Sequence, residues 1–301
     1  MHRPLTDYAL EDWVRLRPLI QRLKSVHYDR VQRRFDRQPP RVGDLALLRA
    51  AVRGRRLLMT IAYEDPQAVD WQARLVRHHI AGAVHLVADN SHDDAKAAAI
   101  ARHARASGAL YLRMPENPWR RGQASRSHGT AMTWLWTNLV RPGEPAMFGF
   151  LDHDLWPTAP TDPFAPLAQR PFDGNVREAE GKWFLWAGFC FFRFDAVCHL
   201  PLDFRQAWFI GLDTGGGNWA VLYRDADRTP MTIHGRAPIA LLPDVPVPAC
   251  YAERMGVWLH EVGLAGDPAH VGRKRAAIAD LLAPVLASIP SDATDGSSKP
   301  Q

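Results

Sequence analysis

Two aspartates, Asp152 and Asp154, stand one residue apart, directly after the apolar run MFGFL and before Leu155-Trp156-Pro157. Two carboxylates at the end of a buried strand can face one hard cation. Mg2+ or Mn2+ prefers oxygen ligands and completes its shell with substrate phosphates. Such a cation neutralises a diphosphate leaving group, which is what breaking a sugar–phosphate bond requires. His153, between the two acids, is expected on the opposite face of the strand and is read as structural. Arg120, Arg121 and Arg126 could bind a diphosphate through charge-assisted hydrogen bonds, or belong to a solvated loop. Asp213, in GLDTGGG, is either a turn or cap aspartate or a base within reach of an acceptor hydroxyl.

The surrounding elements must carry these groups to one place. LLMTIAY reads as a buried strand, and Asp65-Pro66 opens a helix through QAVDWQARLVRHH with a cap-then-proline signature. AVHLVAD is a second strand, SHDDAKAAAIARHARAS a helix, and ALYLRM a third strand. QASRSHGTAMTWLWTNLV is a further helix, and AMFGFLDHDLWP a fourth strand running into the acidic triplet. Short strands alternating with helices predict a parallel sheet with right-handed crossovers, whose ligands bind at the carboxyl ends of the strands. Three polar clusters fall at those ends: Tyr63-Glu64-Asp65, Asp89-Asn90-Ser91 and Asp152-His153-Asp154.

The second half is less regular. KWFLWAGFCFFRFDAV predicts one or two buried strands with Gly188 between them, and QAWFIGLDTGGGNWAVLY a glycine-rich turn followed by a helix or strand. LLPDVPVPACYAERM is broken by prolines and is expected to wrap the surface, whereas RKRAAIADLLAPVLASI is an amphipathic helix.

The formal charge of +5 is uneven, since residues 1–56 hold fourteen Arg or Lys against six Asp or Glu. Trp13, Leu16, Leu19, Ile20, Leu23 and Val26 recur at helical spacing there, and Pro39-Pro40 stops the helix. Asp44 caps a shorter helix to Val52. Such a basic arm suits an anionic partner or is a solvated face. An apolar stripe that cannot bury itself leaves a membrane-surface contact or a homodimer open. Three cysteines without a CxxC pair argue against a disulfide framework or thiolate zinc site. The N-terminal residues lack the apolar core of a secretory signal, and no stretch is apolar enough to span a bilayer. These features predict a cytoplasmic protein, peripheral at the inner membrane face if the arm binds lipid.

Motif by motif over residues 57–265, the sequence resembles the GT-A glycosyltransferases, especially the family-two-like bacterial group with a DxD motif. LLMTIAYEDP is similar to that family's first strand and nucleotide-contacting loop, which implies donor contacts at Ala62 and Tyr63. HLVADNSHDD resembles its second strand, whose terminal acid, here Asp89, contacts the nucleoside. NPWRRGQASRSHGTAM resembles the segment that places Ser127 and His128 near the nucleotide. FLDHDLWP matches the DxD element, with Asp152 touching both donor and metal, and WAGFCFFR places Trp186 and Gly188 close to the sugar.

The resemblance implies that Asp213 is the catalytic base, although the family's usual pair of adjacent acids is here a single Asp followed by Thr214. It also implies a late histidine as third metal ligand. His260 in VWLHEVG is preferred, with His270 in AHVGRKR as rival.

The implied organisation is a basic helical arm (1–56), a GT-A, Rossmann-like α/β domain with a mostly parallel sheet flanked by helices (57–290), and a disordered tail (291–301). Within the domain, 57–157 form the nucleotide-binding half and 158–290 the acceptor half. The implied activity is transfer of a sugar, with inversion, from a UDP-, GDP- or dTDP-sugar to a glycan, lipid-linked or small-molecule acceptor, using Mn2+ or Mg2+. Nucleic acid is not an expected partner. The alternatives are a catalytically degenerate GT-A domain binding carbohydrate or a partner, and a sugar-phosphate nucleotidyltransferase. The latter lacks its glycine-rich, basic loop, because AYEDPQ follows the first strand.

Overall fold

The computed structural model describes residues 5–119, 123–231, 235–245, 251–262 and 268–289. After a short turn of helix come α1 (Leu10–Val14), α2 (Arg17–Asp36) and α3 (Leu45–Val52). Leu16 adopts φ 54°, a left-handed conformation that breaks the expected single arm helix into α1 and α2. Asp44 caps α3 as its sequence predicts, accepting from the backbone N–H groups of Ala46 and Leu47.

Strands and helices then alternate: β1 (Arg56–Ala62), α4 (Pro66–His79), β2 (Ala83–Asp89), α5 (Asp94–Ala106), β3 (Leu110–Arg113), α6 (Ala124–Leu135), the short α7 (Arg141–Gly143) and β4 (Met147–Asp152). Next come β5 (Leu155–Pro157), β6 (Phe172–Ala179), β7 (Lys182–Arg193), the short α8 (Phe194–Val197), β8 (Arg236–Ala240), β9 (Tyr251–Met255), β10 (Trp258–Glu261) and α9 (Pro268–Ala287). Asp65 accepts from the Ala68 N–H at the head of α4, so the cap-then-proline signal works as read.

The main sheet has the order β3-β2-β1-β4-β7-β6, with β3, β2, β1 and β4 parallel. This is the α/β, mostly parallel, helix-flanked sheet expected from the sequence. β1 lies at its centre and is buried on both faces, as a parallel strand should be. Leu57, Met59 and Ile61 join the large cluster containing Trp134 and Phe150, whereas Leu58 packs with Val76 of α4 and Ile80 just beyond it. The registers Ala62↔Asp89 and Ile61↔Asp152 bring the carboxyl ends of three adjacent strands level with one another.

WAGFCFFR lies within one continuous strand, β7, as one of the two expected outcomes; it runs antiparallel to β4, with Leu151 opposite Phe189. Two other segments differ from expectation. AMFGFLDHDLWP is two strands, because β5 leaves the main sheet and pairs with β10 in a second sheet ordered β5-β10-β9-β8. Tyr251–Met255 is not a surface wrap but β9, paired on both sides. In QAWFIGLDTGGGNWAVLY the glycine-rich turn is followed by a helix as expected, a five-residue π-helix at Trp219–Tyr223, with short 3-10 turns at Trp208–Ile210 and Gly216–Asn218 before it. Its glycines are required by close packing: a Cβ on Gly215, at φ 91°, would lie 2.7 Å from the Leu185 carbonyl oxygen.

The arm also packs in an unexpected way. Phe35 of α2 enters the main cluster beside Trp134, yet Leu16, Leu19, Ile20, Leu23 and Val26 are exposed. Residues 291–301, read as a disordered tail, lie outside the described residues.

Candidate metal and donor site

β4 delivers Asp152 to the lip of the main sheet, and the chain turns at His153-Asp154 into β5. Gln72 of α4 holds this turn from beneath. Its Nε2 donates to the carbonyls of Asp152 (2.6 Å) and Leu155 (2.7 Å), and its Oε1 accepts from the Thr60 hydroxyl of β1 (2.6 Å). Thr60 and Gln72 are fully buried, so the bonds joining the two sheets are shielded from competing water.

The second sheet supplies the third group. Leu155 pairs with His260, and the Glu261 N–H donates to the Asp154 carbonyl (2.9 Å). One ligand atom each from Asp152, Asp154 and His260 lies within 4.8 Å of the others. His260 approaches Asp154 Oδ1 through Nε2 (3.9 Å), while its Nδ1 lies 3.4 Å from Glu253 Oε2 on β9. A carboxylate on the far ring nitrogen orients a histidine for metal ligation through the near one. The donor set is therefore two carboxylates and an imidazole, which could hold a divalent cation.

Gly188 of β7 makes this arrangement sterically allowed. A Cβ there would stand 2.2 Å from Asp152 Oδ2 and 2.5 Å from Trp186 Cζ2. Gly188 thus leaves room for the Asp152 carboxylate.

Burial and the neighbouring Asp154 raise the Asp152 pKa above the ordinary carboxylate range, and His128, with Nδ1 3.4 Å from Asp152 Oδ1, opposes that rise. Burial is the larger effect, because a charged carboxylate loses hydration that the imidazoles of His128, His260 and His153 replace only in part. A cation at this position would relieve the same penalty. Glu253 is shifted the other way, its carboxylate favoured first by the His260 hydrogen bond and then, against the cost of burial, by Arg236.

The site opens into a cleft of about 540 Å³ whose lining includes His128, Asp152, Arg177, Trp186 and Asp213. The Arg177 and Arg236 guanidiniums lie 5.2 and 5.4 Å from the Trp186 ring centroid, and the centroid of the His260 ring is 4.7 Å from it. Burial makes both arginines harder to protonate, with Arg236 opposing Arg177 as well. Arg177 lines the cleft, whereas Arg236 is paired with Asn175 Oδ1 (2.7 Å) and Glu253 Oε2 (3.5 Å).

The remaining predicted residues divide. Ala62 is buried at the end of β1, and Tyr63 is 36% exposed with its ring edge-on to His92. Asp89 is fully buried: its Oδ1 accepts from the Ser91 N–H (2.9 Å) and its Oδ2 from the Tyr111 hydroxyl (2.7 Å). The Ser91 hydroxyl in turn accepts from the Glu64 N–H, so Asp89 organises the loops that follow β1 and β2. Buried Ser127 accepts from the Asn90 amide (2.9 Å).

Asp213 is exposed on the cleft. Gln206 Nε2 and the Thr214 N–H both donate to its Oδ1 at 2.8 Å. His270 lies on α9, near enough to Asp244 to favour its charged form, and is not in the acidic cluster. Arg126 stacks over the Tyr28 ring at 4.5 Å and helps fasten the arm to the body. Arg120 and Arg121 lie outside the described residues.

Gln72, Arg177, Arg236 and Glu253 escape a reading of the sequence. None sits in a local motif, and each reaches the site only through strand pairing or helix packing. The one available signal is alternation: Arg177 in the strand ending VREA, and Glu253 in the short strand YAERM.

No family model matches the chain, and no curated protein matches it. Among solved structures, the mannosyltransferase PcManGT of Pyrobaculum calidifontis, in complex with GDP-Man and Mn2+, is similar at 16% identity and a TM-score of 0.36. The alignment covers 65% of this chain and 57% of that one, so the chain spans little more than half the length of that structure. Among the described residues, no helix is long and apolar enough to cross a membrane.

Proposed function

We propose that the chain is a glycosyltransferase that moves a sugar from a nucleotide-sugar donor to an acceptor hydroxyl, with Asp152, Asp154 and His260 holding Mn2+ or Mg2+. The observation that carries this reading is the convergence of those three ligand atoms within 4.8 Å, at the carboxyl end of a parallel strand and on the rim of a cleft. A bound divalent cation supplies positive charge to the departing diphosphate.

The protein's own groups do the rest. Arg177, on the cleft wall, neutralises further phosphate charge in a setting where poor hydration strengthens the contact. His128, on the cleft wall with Nδ1 3.4 Å from Asp152 Oδ1, borders the nucleotide. The loops organised by Asp89, with Ala62, Tyr63 and Ser127, shape the nucleoside pocket, and Trp186 with Gly188 borders the sugar.

Asp213 takes the proton from the acceptor hydroxyl. Its hydrogen bonds converge on Oδ1, so Oδ2 is the oxygen assigned to that transfer. A single displacement assisted by one base inverts the anomeric centre.

Calorimetry with UDP, GDP and dTDP, each with and without Mn2+, tests the proposal. One of the three should bind in a Mn2+-dependent manner, and Asp154→Ala should abolish both that binding and hydrolysis of the matching nucleotide-sugar. If no nucleotide binds while free glycans do, unaffected by Asp154→Ala, the chain is a carbohydrate-binding module and the enzymatic reading fails.

A further inference from the structure

Helix α2 is docked with its less apolar face inward. The face against the body carries Pro18, Ser25, Tyr28, Asp29, Gln32 and Phe35, and it is held by specific bonds. Arg205 donates to the Tyr28 carbonyl (3.2 Å) and to Asp29 Oδ1 (2.8 Å), and Gln32 Nε2 donates to the Thr130 carbonyl (3.3 Å). Tyr28 wedges edge-on between Trp119 and Trp208. These contacts fix the rotation of the helix. They leave Leu16, Leu19, Ile20, Leu23 and Val26 between 43% and 62% exposed on the other side.

The same outward face continues, one to three turns further on, into Arg30, Arg33, Arg34 and Arg37, all exposed. At 100° per residue these arginines prolong the line of the apolar stripe. The only acids between Leu16 and Arg37, Asp29 and Asp36, are turned toward the body, bonded to Arg205 and Gln32 respectively. The exposed face is therefore apolar at one end, cationic at the other, and free of carboxylates.

We infer that this face docks on an anionic lipid surface, with the leucine stripe entering the headgroup boundary and the arginines contacting lipid phosphates. Charge complementarity selects that occupant. A second copy of the chain would offer the same face no carboxylate to pair with the arginines, and an antiparallel pairing would press them against leucines. The inference uses none of the cleft residues and stands independently of the proposed reaction.

Flotation of the full chain with phosphatidylcholine vesicles, with and without phosphatidylglycerol, tests it. The protein should bind only the anionic vesicles and be released by salt. Arg30→Glu with Arg34→Glu should weaken binding about 25-fold or more, from roughly fivefold per basic residue lost. Leu19→Ser with Leu23→Ser should weaken it at least as much. All four residues are exposed, so the variants should keep the parent's circular dichroism and melting behaviour. Equal binding to neutral vesicles, or none to either, overturns the inference. So does a concentration-dependent dimer, seen by light scattering, that the serine pair dissociates while vesicle binding is absent.

Discussion

Adding one methyl group at Gly188 separates the geometry of the acidic cluster from its chemistry. In Gly188→Ala the new Cβ would stand 2.2 Å from Asp152 Oδ2 and 2.5 Å from Asp152 Cγ. Comfortable contacts need about 3.5 Å, so the carboxylate must retreat by roughly 1 Å. Metal–ligand distances tolerate only about 0.2 Å, so that retreat removes Asp152 as a ligand. Mn2+ affinity, read by titration with electron paramagnetic resonance, should fall about 10- to 100-fold, and stability should drop by about 1–3 kcal/mol from overpacking. Gly149→Ala is the control. Its Cβ would meet the Phe191 ring at 2.1 Å, also between β4 and β7 but inside the core. It should cost similar stability without changing Mn2+ affinity. A folded Gly188→Ala protein that binds Mn2+ as the parent does refutes the reasoning, as does an equal loss of affinity in Gly149→Ala.

Two further outcomes follow from the buried network under the site. Gln72→Leu withdraws the side-chain donor from the Asp152 and Leu155 carbonyls and should cost about 2–6 kcal/mol in urea melts, at about 1–3 kcal/mol for each group left short; a loss below about 1 kcal/mol counts against the network. His85 Nε2 lies 3.0 Å from the Thr60 hydroxyl, and burial pulls the His85 pKa down to about 4 from 6.5. Between those values the unfolded chain binds more protons than the native one, so stability is present above pH 6.5 and is lost as pH falls toward about 4. The total is about 3 kcal/mol. Comparing melts of the parent and His85→Gln across that range checks it, since the variant should lose correspondingly less; parallel curves would show that His85 is not held neutral.

The local elements of this protein were legible in its sequence because their signals are local. Asp44 and Asp65 cap their helices through bonds only two or three residues away. The apolar runs of β1, β2 and β4 mark strands buried on both faces, and their polar termini mark where a site would form. The acidic pair was visible for the same reason.

What tertiary structure alone decided is which distant segments meet. β5 parts from β4 after two residues because its partner is β10, a hundred positions along the chain, and that pairing brings His260 to Asp154 and Glu253 to His260. The sequence left the direction of β7 open; the fold runs it antiparallel to β4, and this sets Gly188 against Asp152. The arm shows the limit most plainly. Helical periodicity located its apolar stripe but not its rotation, because specific bonds from Arg205 and Gln32 outweigh burial of the leucines and turn the stripe outward. Spacing along a chain records a segment's own preferences, while the free energy that chooses its neighbours comes from contacts with partners far along the sequence.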